Sequence, residues 1–395
     1  ITALLSSAST NIFNLNVSGQ ELSVSVSKLP EGVSALKYLT TYAGDSTLQM
    51  VDNGSGASTA SEVLGPLSTG TKAILGTSDK AEDSSIIGDG KDIFVLDKAD
   101  TELGIKNLTI KGAGTAIDNQ SGKAHLENVV IKETVGDTAL KNGAEMTLKD
   151  VVVDKGVENT GSIVGEGTLA LGGLTGTGTL TMNNATLDVA DKFATSNKVV
   201  SNNMVLGDKV QEISFGELEI KEGTTLDIDN KHVTADKVTF GKESTLSVTL
   251  NHLADHGTLS HEEVAGDEEA KLVLKLTEGL DQEEVIYQVF DKDNNLALEK
   301  NGLIDVIDMQ DGSYKVAKKS VETLSQELGT TKEESTVANA LLSGNSEKEE
   351  FVKVQTELLE ALQSENKATF ARGKKALNAL GARSTSVYQS QATAQ

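Results

Sequence analysis

Three lines of the sequence superpose without a gap. Leu103-Gly-Ile105-Lys-Asn107-Leu108-Thr-Ile110 is followed 21 residues later by Ala124-His-Leu126-Glu-Asn128-Val129-Val-Ile131, and after 22 more by Met146-Thr-Leu148-Lys-Asp150-Val151-Val-Val153. Apolar residues hold the first, third, sixth and eighth places, and Asn, Asn and Asp hold the fifth. Within each half the apolar period is two, so each half reads as a short strand with one buried face. The polar fifth residue breaks the alternation, as a bend would. A fixed period of about 21 residues is too long for a hairpin meander and fits one coil of a solenoid.

One such coil cannot bury its apolar stripe alone. Stacking coils at a strand spacing of roughly 4.8 Å pairs each strand with the coils above and below. This predicts four interior stacks: Leu103, Ala124 and Met146; Ile105, Leu126 and Leu148; Leu108, Val129 and Val151; Ile110, Ile131 and Val153. Burying each large side chain is worth about 1.5–3 kcal/mol. Asn107, Asn128 and Asp150 are expected to stack at a corner, hydrogen-bonding along the column. A β-sandwich with coincidental spacing is disfavoured, because five columns keep register together. The predicted fold is all-β, a parallel β-helix with a C-terminal α-helical segment.

In chain order, residues 1–72 read as an irregular β cap. Ile12–Val17 and Leu22–Val26 alternate cleanly, and residues 53–70 form a Gly/Ser/Thr-rich loop. Coiling is expected over 73–250, about eight coils and roughly 40 Å of stacking. After Val153 the signature becomes Thr-Leu-x-aliphatic, at Gly167–Leu171, Gly178–Met182, Ala185–Val189, Thr225–Ile228 and Thr245–Leu250. We read each as a coil. Residues 251–317 read as an acidic insertion (251–270) followed by a C-terminal β cap, with strands at Leu272–Leu276, Val285–Phe290, Leu303–Ile307 and Tyr314–Val316. From residue 318 to 395 the pattern is helical. Thr331-Lys-Glu-Glu334 and Ser346-Glu-Lys-Glu349 are candidate capping boxes. Phe351, Val354, Leu358, Leu359 and Leu362 would share one helix face, Gly344 would end the preceding helix, and a third piece would run from about Lys367 to Leu380.

This plan resembles the passenger of a Gram-negative autotransporter, in which a C-terminal β-barrel exports its own upstream domain. The Asn107-Leu-Thr-Ile110 coils are similar to the passengers' β-helix rungs. Gly178–Met182 is similar to their later rungs. Ser335–Leu341 through Ala376–Tyr388 resembles the helical region preceding the barrel. The resemblance implies a right-handed β-helix with about three strands per coil, displayed at the cell surface or outer membrane or released outside the cell. It implies an outer-membrane β-barrel of the same precursor as a partner, and an autochaperone-like role for 251–317. The barrel itself is absent from this sequence, so on this reading the chain is either a cleaved passenger or a truncated form of one. The implied function is non-enzymatic: adhesion to a host-cell or matrix receptor, surface coating or self-association. The alternative is a polysaccharide-acting β-helix lyase or hydrolase.

Composition narrows the partners. With 59 acidic against 35 basic residues, the net charge of −24 argues against nucleic acid. Aromatics make up 3% and tryptophan is absent, which disfavours a stacking platform for bases or sugars. The sequence has no cysteine, which excludes disulfides and thiolate chemistry.

Candidate chemistry is sparse. Gly44-Asp45-Ser46 is similar to a serine-hydrolase nucleophile, but Thr47 follows where the protease form needs Gly, and the first histidine is His125. Asp229-Asn-Lys-His232 is similar to an esterase Asp-x-x-His, yet it falls in a coil. His252, His256 and His261, with Asp255, Glu262 and Glu263, form the one dense ligand cluster. We read it as a solvated insertion loop. Ile87-Gly88-Asp89-Gly90 is a single turn, and a calcium-binding array would need several copies. Residues 103–250 contain no arginine, which removes the usual base or clamp of a β-helix lyase. No catalytic, cofactor or metal residue is therefore assigned.

Overall fold

The computed structural model describes residues 79–392 apart from 84, 89, 91, 252–254, 267–268, 281 and 345–347, together with strands 13–18, 21–26, 46–50, 57–59 and 70–75. The chain is mostly β, a parallel β-solenoid of about eight turns with four C-terminal helices. It divides into two compact units, Ile1–Glu219 and Ile220–Gln395.

In the first unit the predicted registers are all realised. Ile105 pairs with Leu126 and Leu126 with Leu148; Leu108, Val129 and Val151 stack likewise. All twelve residues of the four expected columns are buried. Each turn has a third side that the repeat left unmarked. In one turn it is Thr138–Asn142, in register with Ile117–Asn119 before it and Gly156–Asn159 after it. Its inward residues, Ile117, Leu140, Val157 and Leu174, form a fifth buried column.

The fifth-place residues are bends. Asn107, Asn128 and Asp150 have φ of 57°, 52° and 52°, followed in later turns by Gly167, Asn184 and Asn203. Asn and Gly suit this left-handed conformation because the steric penalty there is small. Asn128 donates through Nδ2 to Asn107 Oδ1 at 2.9 Å, as expected of a corner stack. Asp150 departs from that expectation. Its carboxylate has no amide hydrogen to pass on, and it accepts from the Thr168 backbone N–H at 3.0 Å.

A second, interior ladder was not foreseen. Asn119 donates to Asn142, Asn142 to Asn159 and Asn159 to Asn197, each at 2.9 Å, and all four side chains are buried. Their Nδ2 groups also satisfy backbone carbonyls of Glu145, Ala144, Ser162, Thr179, Thr175 and Gly176. Gly176 holds the ladder position of the turn between Asn159 and Asn197. Its φ is 95°, and a Cβ there would stand 2.3 Å from the Asn159 carbonyl oxygen.

Two sequence readings need correction. Thr179–Asp188 is one strand bent at Asn184: Leu180 pairs with Ile163 and Leu187 with Leu169. The motifs at 178–182 and 185–189 are therefore two sides of a single turn, not two coils. Parallel pairing also begins before residue 73. Glu21–Val26 pairs in parallel with Ser46–Met50, and that strand with Gly70–Leu75.

In the second unit Leu226, Leu246 and Leu272 stack in parallel register. The stretch read as an acidic interruption contains strand Thr258–Gly266, in parallel register with His232–Phe240. Lys271–Lys275, read as a cap strand, continues the same stack. A separate antiparallel sheet follows. Ser313–Lys318 is central, flanked by Glu284–Gln288 and Ile304–Asp308. Its inner residues Tyr287 and Tyr314 are buried with Phe290.

The helices are α1 (Val321–Leu328), α2 (Lys332–Ser343), α3 (Glu349–Leu362) and α4 (Lys367–Ala392). The expected capping box at Thr331 and Glu334 forms. At the second expected box Ser346 lies outside the described residues, and the N-cap is Lys348, with no side-chain bond. Gly344 does end α2, but in extended conformation (φ −86°) rather than left-handed. The buried face of α3 runs through Gln355, Leu358, Leu359 and Leu362, while Val354 is exposed.

The helices meet the end of the β-stack through amides. Gln363 accepts from the Leu276 N–H at 2.9 Å and donates to the Leu276 carbonyl at 2.6 Å. Asn301 donates to Leu274 O and to Gln363 Oε1, each at 2.8 Å. Two side-chain amides thus take the place of a further strand along part of this edge, where bare N–H and C=O groups would otherwise invite pairing.

Candidate interaction surface

Among the sequence candidates, Ser46 opens strand Ser46–Met50, and Gly44 and Asp45 lie outside the described residues. His232 Nδ1 bonds Thr258 Oγ1 at 2.9 Å, while the Asp229 carboxylate lies 3.9 Å from Lys231 Nζ. His125 pairs with Glu102 on the surface. In the Ile87–Gly90 turn, Asp89 lies outside the described residues.

The histidine cluster is not a solvated loop. His261 is 3% exposed, on the strand paired with His232–Phe240, and opposite Ala235. Its ring lies 6.4 Å from that of Phe290, and neither ring nitrogen has a hydrogen-bond partner. Burial pushes its imidazole below the ordinary value, against the opposing pull of Asp291. His256 packs edge-on to Tyr287, with Nε2 2.9 Å from the Gln288 carbonyl oxygen. Asp255 bonds Asn230. His252 is outside the described residues. His256 and His261 thus have separate surroundings. Among the described residues no three His, Asp or Glu side chains converge as metal ligands would.

The surface that stands out is the outer face of the antiparallel sheet. Ile286, Lys315 and Ile307 form one cross-strand row, and the two isoleucines are 54% and 57% exposed. Met309, beyond the end of the edge strand, is 45% exposed. Single exposed apolar residues are ordinary, but three gathered on one small sheet are a patch. Carboxylates surround it. Glu284 and Asp305 lie on the same face, Asp308 ends the edge strand, and Glu283 precedes the other edge. The nearby cations are engaged. Glu284 holds Lys315 at 2.6 Å, and Lys319, 5% exposed, donates to Asn301 O at 2.7 Å and lies 3.6 Å from Glu327 and 4.0 Å from Asp305.

Sequence reasoning overlooked this face, although a signal was present. A strand with one solvated face should alternate. Val285-Ile286-Tyr287 and Val306-Ile307 are instead apolar on both phases, so an apolar side chain must face out.

On the solenoid surface, by contrast, several charges are paired between adjacent turns. Glu127 lies 3.2 Å from both Lys106 and Lys149 in adjacent turns. Its hydrogen bonds to Lys149 and Lys106 draw its carboxyl below the ordinary value. No protein-family description, curated protein or solved structure matches the chain.

Proposed function

We propose that this chain is the passenger region of an autotransporter-like secretion system, displayed at the cell surface or released, and that it acts without catalysis in adhesion, surface coating or self-association. The supporting observation is the order of parts: a parallel β-solenoid running into a C-terminal helical module. That is the order in which a passenger precedes the segment leading into its barrel. Freedom from cysteine suits a chain that crosses a narrow pore unfolded. The paired Lys and Glu on the solenoid surface and the absence of arginine from 103–250 favour a binding rather than a catalytic role.

The test is to place the chain upstream of an outer-membrane autotransporter barrel in a Gram-negative host. Intact cells should then expose it to external protease and antibody, and should gain clumping or binding to matrix-coated surfaces. Retention in the periplasm, or display without any gain in adhesion or clumping, would contradict the reading.

A further inference from the structure

We propose that the edge strand Ile304–Asp308 takes up an extended basic segment of another protein, which adds to the antiparallel sheet as a fourth strand. This deepens the reading of the chain as a binding module and rests on it. Among the described residues, Ile304–Asp308 pairs with Ser313–Lys318 alone. The bonds Met309 N–H to Ser313 O and Lys319 N–H to Leu303 O set the phase of that ladder. Odd-numbered residues 303 to 309 therefore turn their backbone groups inward, and Val306 and Asp308 present theirs along the free edge, whereas Ile304 is covered at 1% exposure. A strand laid there would find backbone partners without disturbing the existing sheet.

The side chains select its chemistry. Asp305 and Ile307 are exposed on the outer face of this edge, next to the row formed by Ile286 and Lys315, and Asp308 is exposed at the strand's end. An incoming strand that sets a basic residue beside Asp305 and an apolar one beside Ile307 gains a charge pair and covers part of the patch. Lys315 does not neutralise the edge, because Glu284 holds it on the opposite side, and Lys319 reaches Asp305 only at 4.0 Å while it donates to Asn301 O at 2.7 Å. A second copy would bring the same carboxylates against each other, in a protein of net charge −24. Like charges opposed in this way protect an edge from its own kind while leaving it open to a basic partner.

A charge-inverted copy of the strand is a direct probe: a labelled peptide of about ten residues centred on Ile-Lys-Val-Ile-Lys, with an Ile-Asp-Val-Ile-Asp control. Fluorescence anisotropy with the full chain should show saturable binding of the basic peptide alone, weakening as salt rises. The double variant Asp305→Lys, Asp308→Lys should lose about tenfold or more in affinity. N-methylation of alternate peptide residues, which removes donors without altering the protein, should abolish binding in one phase and spare it in the other. Val306→Pro, which removes an outward N–H, should match that loss, with circular dichroism confirming the fold. No binding by the unmodified chain, equal binding of both peptides, or indifference to N-methylation would overturn the proposal. So would dimerisation in light scattering that the double variant abolishes, since the occupant would then be a second copy. If the peptide binds but the barrel fusion is not displayed, the secretion reading fails and this one stands. Display and adhesion without peptide binding would refute this inference alone.

Discussion

Between Thr101 and Asn202 the interior is built by repetition, and between Glu284 and Gln363 it is built by exception. In the first region apolar side chains sit over apolar side chains in five columns, and buried amides sit over buried amides. In the second, Tyr287, Tyr314 and Phe290 fill the core singly, and each polar group has its own partner. Asn294 donates to the Tyr314 hydroxyl, Tyr287 donates to Asn251 O, and Gln363 serves both backbone groups of Leu276. Burial drives the Tyr314 phenol up to about 12. A solenoid can repeat one solution indefinitely, but it must stop somewhere, and stopping takes residues that match no column. The difference should show in how far damage spreads. A defect in a column reaches the neighbouring turns, whereas a defect at the end stays local.

The largest expected effect comes from Leu126→Asp. Leu126 is 1% exposed and stacked between Ile105 and Leu148, so an unpaired carboxylate there should cost several kcal/mol. Urea unfolding and limited proteolysis should show turns on both sides of residue 126 losing protection. Next is Asn142→Leu, which takes the acceptor from Asn119 Nδ2 and the donor from Asn159 Oδ1 and the Ser162 carbonyl. At about 1–3 kcal/mol for each unmet buried group, the total should reach about 2–4 kcal/mol in denaturant titration. A cost no larger than that of a surface substitution would remove the interior ladder from the account.

How much of this was legible follows from the same contrast. Four columns could be read because Leu103–Val153 repeats apolar residues at matched places, and register depends on that pattern. The corner asparagines could be read because they interrupt it. The interior ladder was missed because Asn119, Asn142 and Asn159 fall outside the aligned eight residues. A signal exists in hindsight: each is followed within three residues by glycine, at Gly122, Gly143 and Gly161. His261 was misread because charged neighbours made its strand look like a loop. Glu262 and Glu263 point to solvent, while alternation carries His261 inward beside Phe290. Ile286 and Ile307 escaped notice because apolar residues were taken as evidence of core. The Gln363 contacts span 87 residues, and no local pattern announces them.

Smaller and more local is Gln363→Ala. It uncovers the Leu276 N–H and carbonyl at a cost of about 1–2 kcal/mol. Hydrogen exchange should quicken in residues 271–276 and in α3, while residues 101–202 stay unchanged. Faster exchange in both regions would erase the contrast drawn above.

The smallest effect concerns pH. The buried His261 imidazole titrates below the ordinary value of 6.5, so the unfolded chain takes up the proton first. Its stabilising contribution is complete above about pH 6.5 and declines as pH falls from there through the folded value. Melting temperature should drop over that window, and His261→Phe should flatten the drop. Losses from carboxylates held low, such as Glu127 and Asp311, come at lower pH because their ordinary values are already 4.5 and 3.8.

The central claim, that consecutive turns lie in parallel and in register, can be tested with one cross-link. The sequence contains no cysteine, so any disulfide must come from introduced residues. Val130 and Val152 pair across adjacent turns on the outer face, and Ala170 pairs with Val152 one turn further on. Paired strands lie about 4.8 Å apart, within reach of a disulfide, and two turns span roughly twice that. Under mild oxidation, Val130→Cys with Val152→Cys should form an intramolecular disulfide rapidly and completely, whereas Val130→Cys with Ala170→Cys should not. Failure of the first pair, or equally ready closure of the second, would contradict the parallel in-register stack.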